Sequence, residues 1–126
     1  MPVIAIQNDR MPAPLGPYSQ AVAARGELVF VSGQPGIDAE TGTVPADFGE
    51  QGRLAFENLS RVLSAAGLRL SDVAKTTIYL ADPAYFSGLN SLFGEYFPAN
   101  PPTRAAPIVQ LPKGLLISIE AVAVRS

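Results

Sequence analysis

The last apolar run of the chain, LLISIEAVAV at positions 115–124, is apolar on both of its faces. Side chains alternate across a β-strand, so Leu115, Ile117, Ile119, Ala121 and Ala123 point one way. Leu116, Ser118, Glu120, Val122 and Val124 point the other way, and most of that second set is apolar too. A strand with one solvated face would be polar at every second position. This one needs cover on both sides.

Two amphipathic helices can supply one cover. Asp47 followed by Glu50 has the spacing of a capping box. Ala55, Leu59, Val62, Leu63 and Ala66 then fall on one helical face, and Gly67 stands where a left-handed cap ends a helix. A second helix is expected from Asp82-Pro83, a cap residue followed by proline at the one helical position that suits it. Phe86, Leu89, Asn90, Phe93 and Phe97 follow at helical spacing, with Asn90 as the polar intruder on the stripe.

Further strands are expected at VIAI, at 19–24 and 27–33 as a hairpin across Arg25-Gly26, at VAKTTIYL (73–80), and at RAAPIVQL (104–111). PGIDAETGTVPAD is expected to be loop. The order is an α+β sheet with two helices, and right-handed crossovers put both on the same face. The second face then needs cover from outside, and another copy of the chain is the simplest source. A homo-oligomer is expected.

The chain has 126 residues, enough for one domain over 1–126. Nine basic residues against eleven acidic ones give a net charge of −2, and the basic residues are scattered rather than gathered into a nucleic-acid footprint. The chain has no cysteine and no histidine, which removes disulfides, thiolate chemistry and the common nitrogen and sulfur metal ligands. No metal and no cofactor are expected. The first residues lack the basic-then-apolar pattern of a secretory leader, and a cytoplasmic location is expected. Any acid–base step falls to Glu, Asp, Lys, Tyr or a bound water.

Two residues stand out. Glu120 is a carboxylate on a largely apolar strand face, costly unless paired or wet. It is either a satisfied sheet residue or an acid–base group in an interface pocket. Arg104 follows two prolines in NPPTRAAPIVQLP and is either a solvated edge cation or a planar fork that grips a carboxylate by paired hydrogen bonds. If the last two strands form a hairpin about Lys113, even-numbered positions share a face and Arg104 lies diagonal to Glu120, about 7–8 Å away. Pro107 counts against regular pairing there. Tyr18, thrown outward after Gly16-Pro17, is a core phenol or a lid over a pocket. Ser32-Gly33 turns the chain at a strand end or exposes backbone donors to an anion. Lys75 reads as a sheet-surface cation rather than a Schiff-base lysine.

The segments GPYSQAV, LVFVSGQPG, DVAKTTIYLAD and PPTRAAPIVQLPKG with ISIEAVAV, in this order, resemble the Rid family, the reactive intermediate deaminases also called YjgF proteins. The resemblance runs from about residue 13 to the C-terminus. It implies a fold like that of chorismate mutase of the Bacillus type, assembled as a trimer with ligand clefts between subunits. It also implies that VAKTTIYL lies between the last two strands, against the hairpin just described.

Deaminase members hydrolyse imines and enamines such as 2-aminoacrylate, or the 2-imino forms of propanoate and butanoate, to 2-keto acids and ammonia. By resemblance Arg104 matches the carboxylate-binding arginine and Glu120 the glutamate that holds the attacking water. Tyr18 matches the pocket tyrosine, Ser32 and Gly33 the cradle beside the substrate, and Asn90 a helix asparagine near the cleft. PTR stands here where many members have PAR, Ala106 stands where they have cysteine, and the loop before Arg104 is short. These departures bear on pocket shape. The alternatives are a non-catalytic binder of small carboxylates, or the ribonuclease and translation-inhibitor activity of some relatives. The acidic balance and the missing histidine weigh against the latter.

Overall fold

The protein is described by a computed structural model over residues 3–126, so the first two residues of the expected domain lie outside the described residues. Six strands and two α-helices follow in the order β1 (Val3–Ile6), β2 (Ala21–Ala24), β3 (Glu27–Pro35), α1 (Phe48–Ala65), β4 (Val73–Leu80), α2 (Phe86–Tyr96), β5 (Thr103–Ala105) and β6 (Ile117–Arg125). The main sheet has the order β3-β6-β4-β5, with β5 parallel to β4 and the other pairs antiparallel.

Helix α1 starts where the sequence places it. The Asp47 side chain accepts the Glu50 amide at 3.0 Å, and Gly67 takes φ +74° just past the end. Its core face is Ala55, Phe56, Leu59 and Leu63, all fully buried, whereas Val62 of the expected stripe turns out to solvent. Gln51 is a fully buried polar residue on this helix. Its amide donates to the carbonyls of Pro45 and Gly114 and accepts from the Leu116 amide, so each polar atom is satisfied. That one side chain fixes the loop before α1 to the turn that leads into β6.

At α2 the Asp82-Pro83 signal opens a short 3-10 turn over Pro83–Tyr85, and the α-helix proper begins at Phe86. Leu89 and Phe93 are fully buried and Phe97 nearly so, while Phe86 lies at the exposed rim. Both helices pack with Val31, Ile78, Leu80, Ile117, Ile119, Ala121 and Ala123 into one core. The two-helix layer on one sheet face is therefore as expected.

Three expectations about strands need correction. The hairpin across Arg25-Gly26 does not form: β2 pairs with β1, and β3 leaves it to pair with β6. Gly26 at φ +136° breaks the run, in a conformation open to glycine. The nine-residue β3 matches the nine-residue β6, which buries Val31 and sets Val29 against Ala123, whereas the four small residues of β2 have little apolar surface to offer.

RAAPIVQL is not a strand throughout either. Regular pairing ends at Ala105, before Pro107, which has no N–H to give. Beyond it only Ile108 makes a bridge, to Leu80. Lastly, β4 lies between β5 and β6, as the resemblance implied, so the hairpin about Lys113 read from residue parity does not form.

The other face of the sheet carries no helix. Leu28 and Phe30 of β3 stand there 54% and 74% exposed, in register with Val124 and Val122. Among the described residues no helix is long and apolar enough to cross a membrane.

Candidate functional site

The structure sorts the singled-out residues into two groups on opposite faces of the sheet. Arg104 is in register with Thr76, and Thr76 with Ala121, whose side chain is in the core beneath the helices. Glu120 is in register with Thr77, and Thr77 with Ala105, on the uncovered face. Residues in register point to the same side of a sheet, so within one chain Arg104 and Glu120 point apart. The diagonal pairing expected from even-number parity is therefore wrong. Parity carries across an antiparallel hairpin, but here β4 intervenes and β5 runs parallel to it.

Around Arg104 the helix side gathers Tyr18, Asn90 and Phe93. The Arg104 guanidinium donates to Asn90 Oδ1 at 2.8 Å, and its carbon lies 4.6 Å from the centre of the Tyr18 ring and 5.2 Å from that of Phe93. Two ring faces stabilise the charge by about 0.5–2 kcal/mol each, depending on how dry the contact is. Burial pulls the guanidinium pKa below its ordinary value, with the Tyr18 phenol acting against the shift. Among the described residues no carboxylate pairs with Arg104, and Asn90 is its one hydrogen-bond acceptor. A partly buried cation with most of its donors unspent suits an anionic ligand.

The loop carrying Tyr18 is fixed from both ends. The Ser19 amide donates to the Pro102 carbonyl at 3.1 Å, tying the loop to the segment that leads into β5. The Tyr18 hydroxyl accepts the Leu15 amide at 3.1 Å, and Asn90 Nδ2 donates to the Leu15 carbonyl at 3.3 Å. Between them sits Gly16, where an added Cβ would overlap Asn90 Oδ1 and stand 2.7 Å from Arg104 Nη2. Gly16→Ala is expected to displace the Arg104–Asn90 pair and leave the fold intact. A misplacement of about 1 Å costs up to about 100-fold in rate. Steady-state kinetics beside a thermal melt will separate the two effects.

The Glu120 group lies on the uncovered face. Tyr79 donates its hydroxyl to Glu120 Oε1 at 2.9 Å, and this bond raises the phenol pKa above its ordinary value, with burial adding to the shift. Lys75 Nζ donates to Thr77 Oγ1 at 3.3 Å beside it. A bulge in β3 lies directly opposite: Val31 is in register with Ala121 and Gln34 with Ile119, which leaves Ser32 and Gly33 both facing Glu120. Gly33 lies close against Ser118, where an added Cβ would come 2.7 Å from Oγ. Ser32 and Gly33 are exposed. Phe30, Lys75, Thr77, Glu120 and Val122 line a groove of ≈ 200 Å³.

Sequence reasoning missed Tyr79, Phe93 as a ring over the arginine, and the tight space at Gly16. Phe93 was visible only as a core position, and Tyr79 needs the β4–β6 register to be connected with Glu120. A larger cavity, ≈ 260 Å³, is lined by polar residues of the N-terminal segment such as Gln7, Asn8 and Asp9, and meets the Arg104 group only through Tyr18. It contains neither Arg104 nor Glu120. Among the described residues no cluster of three His, Cys, Asp or Glu side chains could hold a metal ion.

Comparison with known proteins covers nearly the whole chain. The family model described as endoribonuclease L-PSP matches residues 8–125. The 2-iminobutanoate/2-iminopropanoate deaminase of Rattus norvegicus is 43% identical over 122 residues, 95% of this chain and 88% of that protein. The putative reactive intermediate deaminase TdcF of Escherichia coli is 39% identical over 125 residues, 96% of each. The crystal structure of E. coli TdcF with bound serine superposes with a TM-score of 0.77, covering 97% of this chain and 98% of that one.

Proposed function

The chain belongs to the endoribonuclease L-PSP family, the YjgF/RidA proteins, and from that premise we propose that it is a deaminase of small 2-imino acids, the 2-imino forms of propanoate and butanoate and their enamines, releasing 2-keto acids and ammonia. The observation that carries this reading is Arg104: a stacked guanidinium, held by Asn90, with no carboxylate partner among the described residues. It has the geometry of a receptor for a small carboxylate. Relatives at about this distance named as imine deaminases, and a TdcF crystal with serine, itself a small amino acid, agree with that ligand class.

Because Arg104 and Glu120 face opposite ways in one subunit, a single chain has two half-sites. A trimer joins them: the Arg104, Tyr18 and Asn90 half of one subunit meets the Glu120, Ser32 and Gly33 half of the next. The uncovered sheet face with Leu28 and Phe30 is the apolar surface such an assembly would bury.

The chemistry then needs few groups. Arg104 takes the substrate carboxylate, with the Tyr18 ring as one wall and the exposed Ser32-Gly33 backbone across the cleft. The carbon of the protonated imine is electrophilic. Glu120 holds a water and takes one proton as the water oxygen bonds to that carbon, and the C=N electron pair moves to nitrogen. Glu120 then returns the proton to the amine of the carbinolamine. The C–N bond breaks with its electron pair going to nitrogen, Glu120 takes the hydroxyl proton as that oxygen becomes the keto oxygen, and this proton passes to the departing ammonia, which leaves as ammonium. Proton transfer by a positioned carboxylate contributes about 10²–10⁴-fold.

The test is an amino-acid oxidase that generates imines, with loss of imine followed by semicarbazide trapping. The protein is expected to speed that loss. Unchanged imine decay, with thermal protection by 2-keto acids, would instead mark a non-catalytic binder. The family's name keeps a ribonuclease in view. Its sign would be RNA degradation that survives in Arg104→Ala and Glu120→Ala.

A further inference from the structure

We infer that Tyr79 is a positioning residue for Glu120, fixing the carboxylate so that one oxygen is committed and the other is free for water. This rests on the reading of Glu120 as the base. Tyr79 and Glu120 are diagonal neighbours on the uncovered face, since Glu120 is in register with Thr77 and Tyr79 with Ser118. A diagonal of about 7–8 Å is within reach of an aromatic side chain. The phenol spans it and donates to Oε1 at 2.9 Å. That is the one side-chain hydrogen bond Glu120 makes among the described residues, and the one the Tyr79 hydroxyl makes.

The bond matters because of what stands next to it. Lys75 lines the same groove, two residues before Thr77 on the same strand face. Its ammonium rests on Thr77 Oγ1, and no ion pair joins it to Glu120. Glutamate turns freely about its side-chain bonds, and an exposed ammonium beside it is a competing partner. The tyrosine donor holds the carboxylate in one orientation, with Oε2 unoccupied by protein. Phenylalanine at position 79 would keep the ring's packing and lose only this restraint. Tyr79 touches no reacting atom; it acts through Glu120.

The experiment is a cycle of four proteins: wild type, Tyr79→Phe, Glu120→Gln and the double variant. Each is assayed for kcat and KM on an oxidase-generated imine, with a thermal melt and a measure of oligomeric state. A hydrogen bond to a charged group is worth about 10–100-fold. The Tyr79→Phe variant is expected to lose that factor in kcat, with KM, melting temperature and assembly unchanged. In the Glu120→Gln background the same substitution is expected to add no loss, because the group it serves is already gone.

Wild-type kcat in Tyr79→Phe, beside a strong loss in Glu120→Gln, overturns the inference and leaves the base assignment standing. An equal loss from Tyr79→Phe in both backgrounds, or a rise in KM that accounts for the loss, also overturns it, since the tyrosine would then act on substrate or on folding. Full activity in Glu120→Gln overturns the base assignment itself and this inference with it.

Discussion

Arg104→Ala is expected to lower kcat/KM for a small 2-imino acid by about 10²–10⁴-fold, the value of two charge-assisted hydrogen bonds of about 1.5–3 kcal/mol each. The guanidinium is already oriented before a ligand arrives. Asn90 accepts from one nitrogen, and the Tyr18 and Phe93 ring centres lie 4.6 and 5.2 Å from the guanidinium carbon. Binding therefore orders little that is not ordered beforehand. Lysine should not rescue, because it cannot form the paired fork or stack on the rings in the same way. Nor should the loss be one of folding. Arg104 is only partly buried, sits on a three-residue edge strand and joins no ion pair. The imine-trapping assay, run beside a thermal melt, checks both statements.

Glu120→Gln is expected to cut kcat by about 10²–10⁴-fold, as removal of a general base does, with KM little changed. The substitution keeps the shape of the side chain, and its amide oxygen can still accept from Tyr79. What goes, on the proposed mechanism, is the ability to take a proton from water. The contrast with Arg104→Ala is the useful part. One variant fails to hold the substrate, whereas the other holds it and fails to turn it over. A matching rise in KM for Glu120→Gln would place the carboxylate in binding rather than in proton transfer.

Local pattern made much of this fold legible from the residues. The β-branched run VAKTTIYL became β4 with the expected bounds, and the Asp47 and Gly67 signals bracket α1. The alternation in β6 also held: Ile117, Ile119, Ala121 and Ala123 are in the core. On the other face Ser118, Glu120 and Val122 are partly buried and Val124 is fully buried, while Phe30 across from Val122 is exposed. Each of these depends on neighbours in sequence.

What local pattern could not supply was pairing between distant segments; only the resemblance placed β4 between the last two strands. Nothing local to Arg25-Gly26 says that β3 prefers β6 over β2, since that choice depends on how much apolar surface each partner buries. The same holds for the site. Arg104 and Glu120 were each visible as unusual, one beside prolines and one on an apolar face. Their true relation required the β4–β5 and β4–β6 registers, which turn a pair within one chain into two halves that face apart. Tyr79 stayed hidden for the same reason, being an ordinary strand residue until register sets it beside Glu120.

The proposed division of the site between subunits makes a direct prediction for mixed oligomers. Arg104→Ala and Glu120→Ala, each expected to be inactive alone, are to be co-expressed, or mixed after reversible dissociation, and then assayed for imine hydrolysis. In a cyclic assembly formed at random from equal amounts, about a quarter of the clefts receive an intact arginine from one subunit and an intact glutamate from its neighbour. Activity near that fraction of wild type is the expected result. Mixed oligomers that form and stay inactive would contradict the two-half site, and with it the proposed route of water to the imine.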